Sequence, residues 1–275
     1  MSGQSFRIRD KGRIDRAKPV RFTFDGKRYE GFEGDTLASA LIANGVHLIG
    51  RSFKYHRPRG ILAAGSEEPN ALIQLGGGNK SEPTLRATQI EIFDGLEAAS
   101  QNRWPNLKFD VGAINSVFHR LFPAGFYYKT FMWPASLWLK YEHVIRHAAG
   151  LGKAPPDRDP DRYEKVHAHA DVLIVGGGPA GLAAALAAGK TGARVILADE
   201  TADWGGSLLS EGDCEIDGKE PARWVEETVA ELEAMPEVTL VKRCTITGYY
   251  DHNYLTGLER VSDHLGAAPE HTPRQ

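Results

Sequence analysis

The stretch DVLIVGGGPAGLAAALAAGKTGARVILADE, residues 171–200, restricts the fold more than any other part of the chain. DVLIV is a short apolar run bounded at once by glycines, which predicts a buried strand. GLAAALAAGK, residues 181–190, is made of strong helix formers, and RVILA, residues 194–198, predicts a second strand that ends on Asp199 and Glu200. Strand, glycine turn, helix and strand in this order form a Rossmann-type unit with a parallel sheet.

The glycines fall as Gly176-x-Gly178-x-x-Gly181. Gly176 permits the tight turn, Gly178 lets a pyrophosphate approach the backbone, and Gly181 lets helix pack on strand. The amides around Pro179 and Ala180 open the helix, where the dipole favours a phosphate. Asp199 stands eighteen residues beyond Gly181 and is placed to accept hydrogen bonds from an adenosine ribose. A carboxylate there repels a 2′-phosphate, so NAD is expected rather than NADP. A bare glycine motif is weak evidence; one set between strand, helix, strand and acid is strong.

ADWGGSLL, residues 202–209, adds a second glycine pair, Gly205-Gly206, with Ser207 able to bond a phosphate. This pair, shortly after the ribose acid, points to a two-dinucleotide flavoprotein fold rather than an ordinary dehydrogenase. EPARWVEETVAELEAM (220–235) predicts a helix, and VTLVKRCTITGYY (238–250) predicts one apolar strand with Ile246 near its end, where adenine would sit. The polar ending HLGAAPEHTPRQ lacks the further strands that close such a site, so the chain is expected to carry the pyrophosphate and ribose half alone.

Ahead of this unit, PVRFTFDGKRYEGF (19–32) alternates about a DG turn and predicts a β-hairpin. GDTLASALIANG (34–45) predicts a helix capped by Asp35 or Thr36, with Leu37, Ala40 and Leu41 inward and Gly45 at its end. PNALIQL (69–75) and ATQIEIF (87–93) read as further strands of a small α+β module. Residues 104–150 concentrate Trp, Phe and Tyr and suggest irregular turns with one or two helices. The stretch 153–170 is a charged linker with several prolines. The organisation expected is residues 1–100 as one module, 101–165 as connecting segment and linker, and 166–275 as the first part of the dinucleotide-binding domain.

The net charge of −3 hides an asymmetry: residues 1–60 hold 13 Lys/Arg against 6 Asp/Glu, and the remainder holds 20 against 30. A basic module precedes an acidic one, which favours docking onto a partner. No apolar run is long enough to span a membrane, and the start MSGQSFRIRD lacks a signal-peptide core, so a cytoplasmic location is expected. The two cysteines, Cys214 and Cys244, suggest no disulfide framework. The histidines show no metal spacing, and no nucleophile–base constellation is legible, so no catalytic or metal-ligating residue is assigned. GRSFKYHRPRGIL (50–62) gathers Arg51, Lys54, His56, Arg57 and Arg59 around aromatics. In a net acidic chain the loop is read as a brace against other parts of an assembly, not as a nucleic-acid site.

GDTLASALIANGVHLIGRSFKYHRPRGI, KFDVGAIN, FPAGFYYKTFMWP and DVLIVGGGPAGLAAA together make the chain resemble the alpha-subunit family of heterotetrameric sarcosine oxidases over nearly its whole length. A subunit of N-methylglutamate dehydrogenase is similar and stands as the alternative, and a non-catalytic interaction module is a second one. The resemblance implies a β-grasp, ferredoxin-like fold for the N-terminal module. Residues 1–213 contain no cysteine, so no iron–sulfur cluster is expected there. The resemblance also implies NAD bound at Ala180, Asp199, Glu200, Thr201, Ser207 and Ile246. It further implies beta, gamma and delta partner subunits, with FAD and covalent FMN on the beta subunit. That complex would oxidise sarcosine to glycine with hydrogen peroxide and formaldehyde, or methylenetetrahydrofolate through a tetrahydrofolate site in a C-terminal domain not present here.

Overall fold

The computed structural model describes residues 4–9, 12–122, 124–125, 131–150, 152, 154–211, 213–266 and 269–275. The chain divides into two compact units, residues 1–161 and 162–275.

In the first unit, β1 (Asp15–Phe24) and β2 (Lys27–Glu33) form the expected hairpin. Its turn places Asp25 at φ 49° and Gly26 at φ 74°, the positive values that the DG pair tolerates. Val20, Phe22 and Phe24 alternate onto the buried face. Helix α1 (Leu37–Ala43) is capped by Thr36, whose hydroxyl accepts from the Ser39 amide at 3.2 Å, and it buries Leu37, Ala40 and Leu41. Asp35 does not cap the helix; its buried carboxylate instead takes two hydrogen bonds from Arg7 and one from the Phe32 amide. A two-residue ribbon, β3 (Gly50–Arg51) with β4 (Pro58–Arg59), closes the basic loop. β5 (Leu72–Leu75), β6 (Glu82–Arg86) and β7 (Leu96–Ser100) complete a mixed sheet of order β2-β1-β7-β5-β6, with β1 and β7 parallel. Pro83 is accommodated because β6 is an edge strand.

The expected strand over 87–93 is not formed. Residues 87–89 make a 3-10 turn, and Ile90 to Ile92 run extended across the start of α1. There Ile90 accepts from the Leu37 amide and the Ile92 amide donates to Asp35. The apolar alternation served the core beneath α1 rather than a sheet ladder. Beyond the sheet, the aromatic segment supplies α2 (Ile114–Val117), a 3-10 turn at His119–Leu121 and α3 (Trp138–Ala149). The stretch FYYKT within that segment lies outside the described residues.

In the second unit, β8 (Val172–Val175), α4 (Pro179–Gly189), β9 (Val195–Ala198), α5 (Pro221–Glu233) and β10 (Val238–Val241) build a parallel three-stranded sheet of order β10-β9-β8. Pro179 and Pro221 each occupy the first helical turn, where the missing amide costs nothing. Leu182, Val195, Leu197 and Leu232 are fully enclosed between helices and sheet, and Trp204 and Trp224 seal the rim. The Arg194 guanidinium grips Asp171 at 2.6 Å and holds its carboxyl at about 2, pinning the starts of β8 and β9 together.

The single strand expected over 238–250 is broken. Arg243 adopts φ 55°, and the chain turns into β11 (Cys244–Tyr250), which pairs antiparallel with β12 (Tyr254–Glu259). Among the described strands β8 pairs with β9 alone, and its Val172 and Val175 are 36% and 60% exposed. Among the described residues no helix is long and apolar enough to cross a membrane.

Candidate functional site

The glycine turn sits at the carboxyl end of β8. Gly176 has φ 101°, a backbone conformation closed to most side chains, and its amide donates to the Ala198 carbonyl at 2.8 Å. Gly178 begins α4, its carbonyl accepting from the Leu182 amide. A Cβ on Gly181 would lie 1.8 Å from the Gly176 carbonyl oxygen, so glycine is required for helix and turn to meet.

The second glycine pair packs directly on the first turn. The Gly205 amide donates to the Gly177 carbonyl at 2.8 Å, and a Cβ on Gly206 would come 2.9 Å from Gly178 Cα. At Gly205 and Gly206 φ is 123° and 54°. Above Gly178 the space is open: an added Cβ would meet nothing nearer than Gly206 Cα at 3.9 Å. Two segments far apart in sequence thus make one backbone cradle with room for a ligand beside its amides.

Asp199 follows β9 directly and faces this cradle. One carboxylate oxygen accepts from the Gly177 amide at 2.5 Å, and the other accepts from the Thr201 amide at 2.7 Å and the Thr201 hydroxyl at 2.5 Å. A carboxylate offers about four acceptor positions, so internal donors occupy three and one remains for a ligand hydroxyl. The group is nearly buried, and its own backbone is clamped on both sides, its amide to Val241 and its carbonyl to the Cys244 amide.

Gly176, Gly178, Gly181, Asp199, Thr201, Gly205 and Gly206 are therefore brought together. Ala180 is exposed on the first turn of α4, and Ser207 is exposed at the start of a 3-10 turn. Glu200 follows Asp199 with its carbonyl held by Arg260 at 2.6 Å. Ile246 stands on the β11–β12 hairpin opposite Gly257, not at the end of the parallel strand. Sequence reasoning missed Gly177 and Trp204. A Cβ on Gly177 would lie 2.2 Å from the Trp204 ring, and the Lys242 ammonium sits over that ring, 5.7 Å from its centroid. The bulk of Trp204 immediately before the glycine pair was the available signal. Nearby, burial and then the Glu259 charge push the Cys244 thiol up.

The basic loop is organised differently from its sequence impression. Arg51 turns inward and donates to the Leu107 and His56 carbonyls. His56, at φ 51°, is buried between Asp110 at 2.7 Å and the Ala148 carbonyl at 3.0 Å. Two of the five cationic side chains are therefore internal braces. Lys54 and Arg57 stack on Tyr55, and Arg59 is exposed.

Next along the chain, Glu68 is fully enclosed, and its carboxylate collects four backbone amides: Leu62, Ala63, Asn70 and Ala71, at 2.6 to 3.1 Å. Burial alone would raise this carboxyl, but the four amides together hold it below the usual range.

Residues 17–103 match a family described as a 2Fe-2S iron-sulfur cluster binding domain, and residues 171–253 match FAD dependent oxidoreductases. The first match corrects the expectation of no iron–sulfur cluster, which rests on cysteine count alone: the matched family is one of cluster-binding domains. The chain's two cysteines, Cys214 and Cys244, both lie in the second unit, so residues 17–103 hold no thiolate for such a group. Among the described residues no group of three or more His, Cys, Asp or Glu could hold a metal ion.

The chain is 57% identical to the sarcosine oxidase subunit alpha of Rhizobium meliloti (strain 1021), over 98% of this chain and 27% of that protein. It is 39% identical to the corresponding subunit of Corynebacterium sp. (strain P-1), over 92% of this chain and 22% of that protein. It thus spans about a quarter of the length of these relatives and matches their N-terminal part. Among solved structures, L-proline dehydrogenase from P. horikoshii shares the fold with a TM-score of 0.55 at 22% identity, covering 89% of this chain and 38% of that one.

Proposed function

We propose that this chain, which corresponds to the N-terminal part of sarcosine oxidase alpha subunits, is the nucleotide-binding portion of a flavin-dependent oxidoreductase subunit. The backbone cradle of Gly176, Gly178 and Gly206 takes the pyrophosphate of a dinucleotide, helped by the Ala180 amide and the Ser207 hydroxyl. Asp199 gives its remaining acceptor position to the adenosine ribose, with Glu200 beside it. The nucleotide is NAD. The observation that carries this reading is the Asp199 carboxylate held at 2.5 Å to the Gly177 amide, beside an open glycine cradle.

The reaction is the oxidative demethylation of sarcosine to glycine, with formaldehyde or methylenetetrahydrofolate and hydrogen peroxide as further products, in a cytoplasmic complex. Amine oxidation belongs to a beta subunit carrying FAD and FMN, with gamma and delta subunits completing the assembly. This chain supplies binding and assembly but no catalytic residue.

A second reading has support of its own: the match of residues 171–253 to FAD dependent oxidoreductases favours FAD as the dinucleotide in the same cradle. Denaturing the purified complex, separating its subunits and chromatographing the released nucleotides distinguishes the two. NAD recovered with the alpha subunit is the expected result. A flavin recovered there selects the second reading, and no nucleotide there refutes both.

A further inference from the structure

We infer that the apolar stripe Ile114, Val117, Phe118 and Leu121, flanked by Arg57 and Arg120, is the face on which this chain docks an apolar, carboxylate-rimmed surface of its flavoprotein partner subunit. The inference rests on the subunit reading above and adds the surface that carries the contact.

These four residues recur at i, i+3, i+4 and i+7, the spacing that puts side chains on one side of a helical segment. Such a stripe ordinarily faces a core. Here it is exposed by 55%, 74%, 49% and 68% along α2 and the 3-10 turn that follows. The segment is fixed against the basic loop: the Tyr55 hydroxyl donates to the Phe122 carbonyl at 2.5 Å and the Asn115 amide donates to the Lys54 carbonyl. Loop and stripe therefore form one surface, with the Arg57 guanidinium stacked on Tyr55 at 4.7 Å.

Charge selects the occupant. Residues 50–62 and 111–122, the loop and the segment that form this surface, contain no Asp or Glu, although the chain as a whole is net acidic. They contribute Lys54, Arg57, Arg59 and Arg120. A carboxylate-rimmed partner is complementary to such a rim, and the aliphatic centre excludes water as interface cores do. Three of the four stripe residues, Ile114, Val117 and Leu121, are aliphatic and offer no π-face, so the centre of the surface suits an apolar protein contact better than stacked bases. An α-helix of four residues is far shorter than the amphipathic helices that lie in bilayers, which argues against a membrane.

The test titrates the full chain with the separately purified amine-oxidising subunit and follows complex formation by sedimentation velocity at low and high salt. Val117→Ser with Leu121→Ser should weaken binding at least tenfold at every salt concentration. Arg57→Glu with Arg120→Glu should weaken it mainly at low salt. The side chains are exposed, so circular dichroism and melting temperature should match the unaltered chain. Parallel titrations use phosphatidylserine vesicles and single-stranded RNA. Unaltered affinity in both variants, with the wild-type complex intact, overturns the docking face alone. Loss confined to vesicles or RNA overturns it in favour of those ligands. Failure of the wild-type chain to bind the partner subunit at all removes the subunit reading, and this occupant with it.

Discussion

Replacing Glu68 by Gln tests how the module's long loop is held. The carboxylate accepts Leu62 and Ala63 on one oxygen and Asn70 and Ala71 on the other. Glutamine keeps one acceptor oxygen and turns an NH2 toward the second pair, whichever way the amide is placed. Two buried backbone donors then lose their partner, at about 1–3 kcal/mol each, and the retained pair loses the charge assistance. A loss of about 3–5 kcal/mol follows, a large share of a typical domain's stability. The sign with pH is fixed by the lowered folded-state carboxyl. Its contribution is fully present above the unfolded value of about 4.3 and is lost as pH falls through the folded value. The wild-type advantage over Glu68→Gln should therefore be constant near neutrality and shrink below about pH 4. Urea denaturation at several pH values measures it, and hydrogen exchange at the four amides localises it. A difference under about 1 kcal/mol at pH 7, or one that grows on acidification, would refute the reasoning.

Other outcomes follow from the second unit. Gly181→Ala drives a methyl into the Gly176 carbonyl and should cost about 3 kcal/mol as well as nucleotide retention by the complex, read by denaturation and by nucleotide recovery. Leu197→Ala, in a fully enclosed position of β9, should cost about 2–5 kcal/mol in the same denaturation assay without altering the cradle's backbone. Cys214 and Cys244 both have thiols raised by burial and then by neighbouring glutamates. Their iodoacetamide alkylation should be slow at neutral pH and climb only above about pH 9, because the thiolate is the reactive form. Mass spectrometry of timed quenches reads this directly, and rapid labelling of either residue at pH 7 would contradict it.

Local chemistry was legible where it acts over a few residues. The DG turn, a helix cap at Asp35 or Thr36 and the glycine spacing of 176–181 each act on their own backbone, so the sequence predicts them, though not which of the two residues caps. What could not be read depended on distant partners. Ile90 and Ile92 alternate like a strand, but their ladder positions are taken by the backbone at Asp35 and Leu37. The apolar run at 238–250 gives no hint that Arg243 would adopt a positive φ and start a new ribbon, a choice set by the Thr201 carbonyl that its amide meets. Arg51 and His56 look like surface cations in sequence. Only the fold reveals Asp110 and the Leu107 carbonyl waiting for them. The position of Asp199 just past its strand was legible from its distance to the glycines, but its three internal donors were not.

The most direct test of the central claim is amide exchange of the full chain with and without millimolar NAD, resolved to single residues. Slower exchange at Gly178, Ala180 and Gly206, abolished by Asp199→Ala, is the result expected if this cradle holds the diphosphate and its neighbouring acid the sugar. Protection that appears elsewhere, or that survives in Asp199→Ala unchanged, would contradict it.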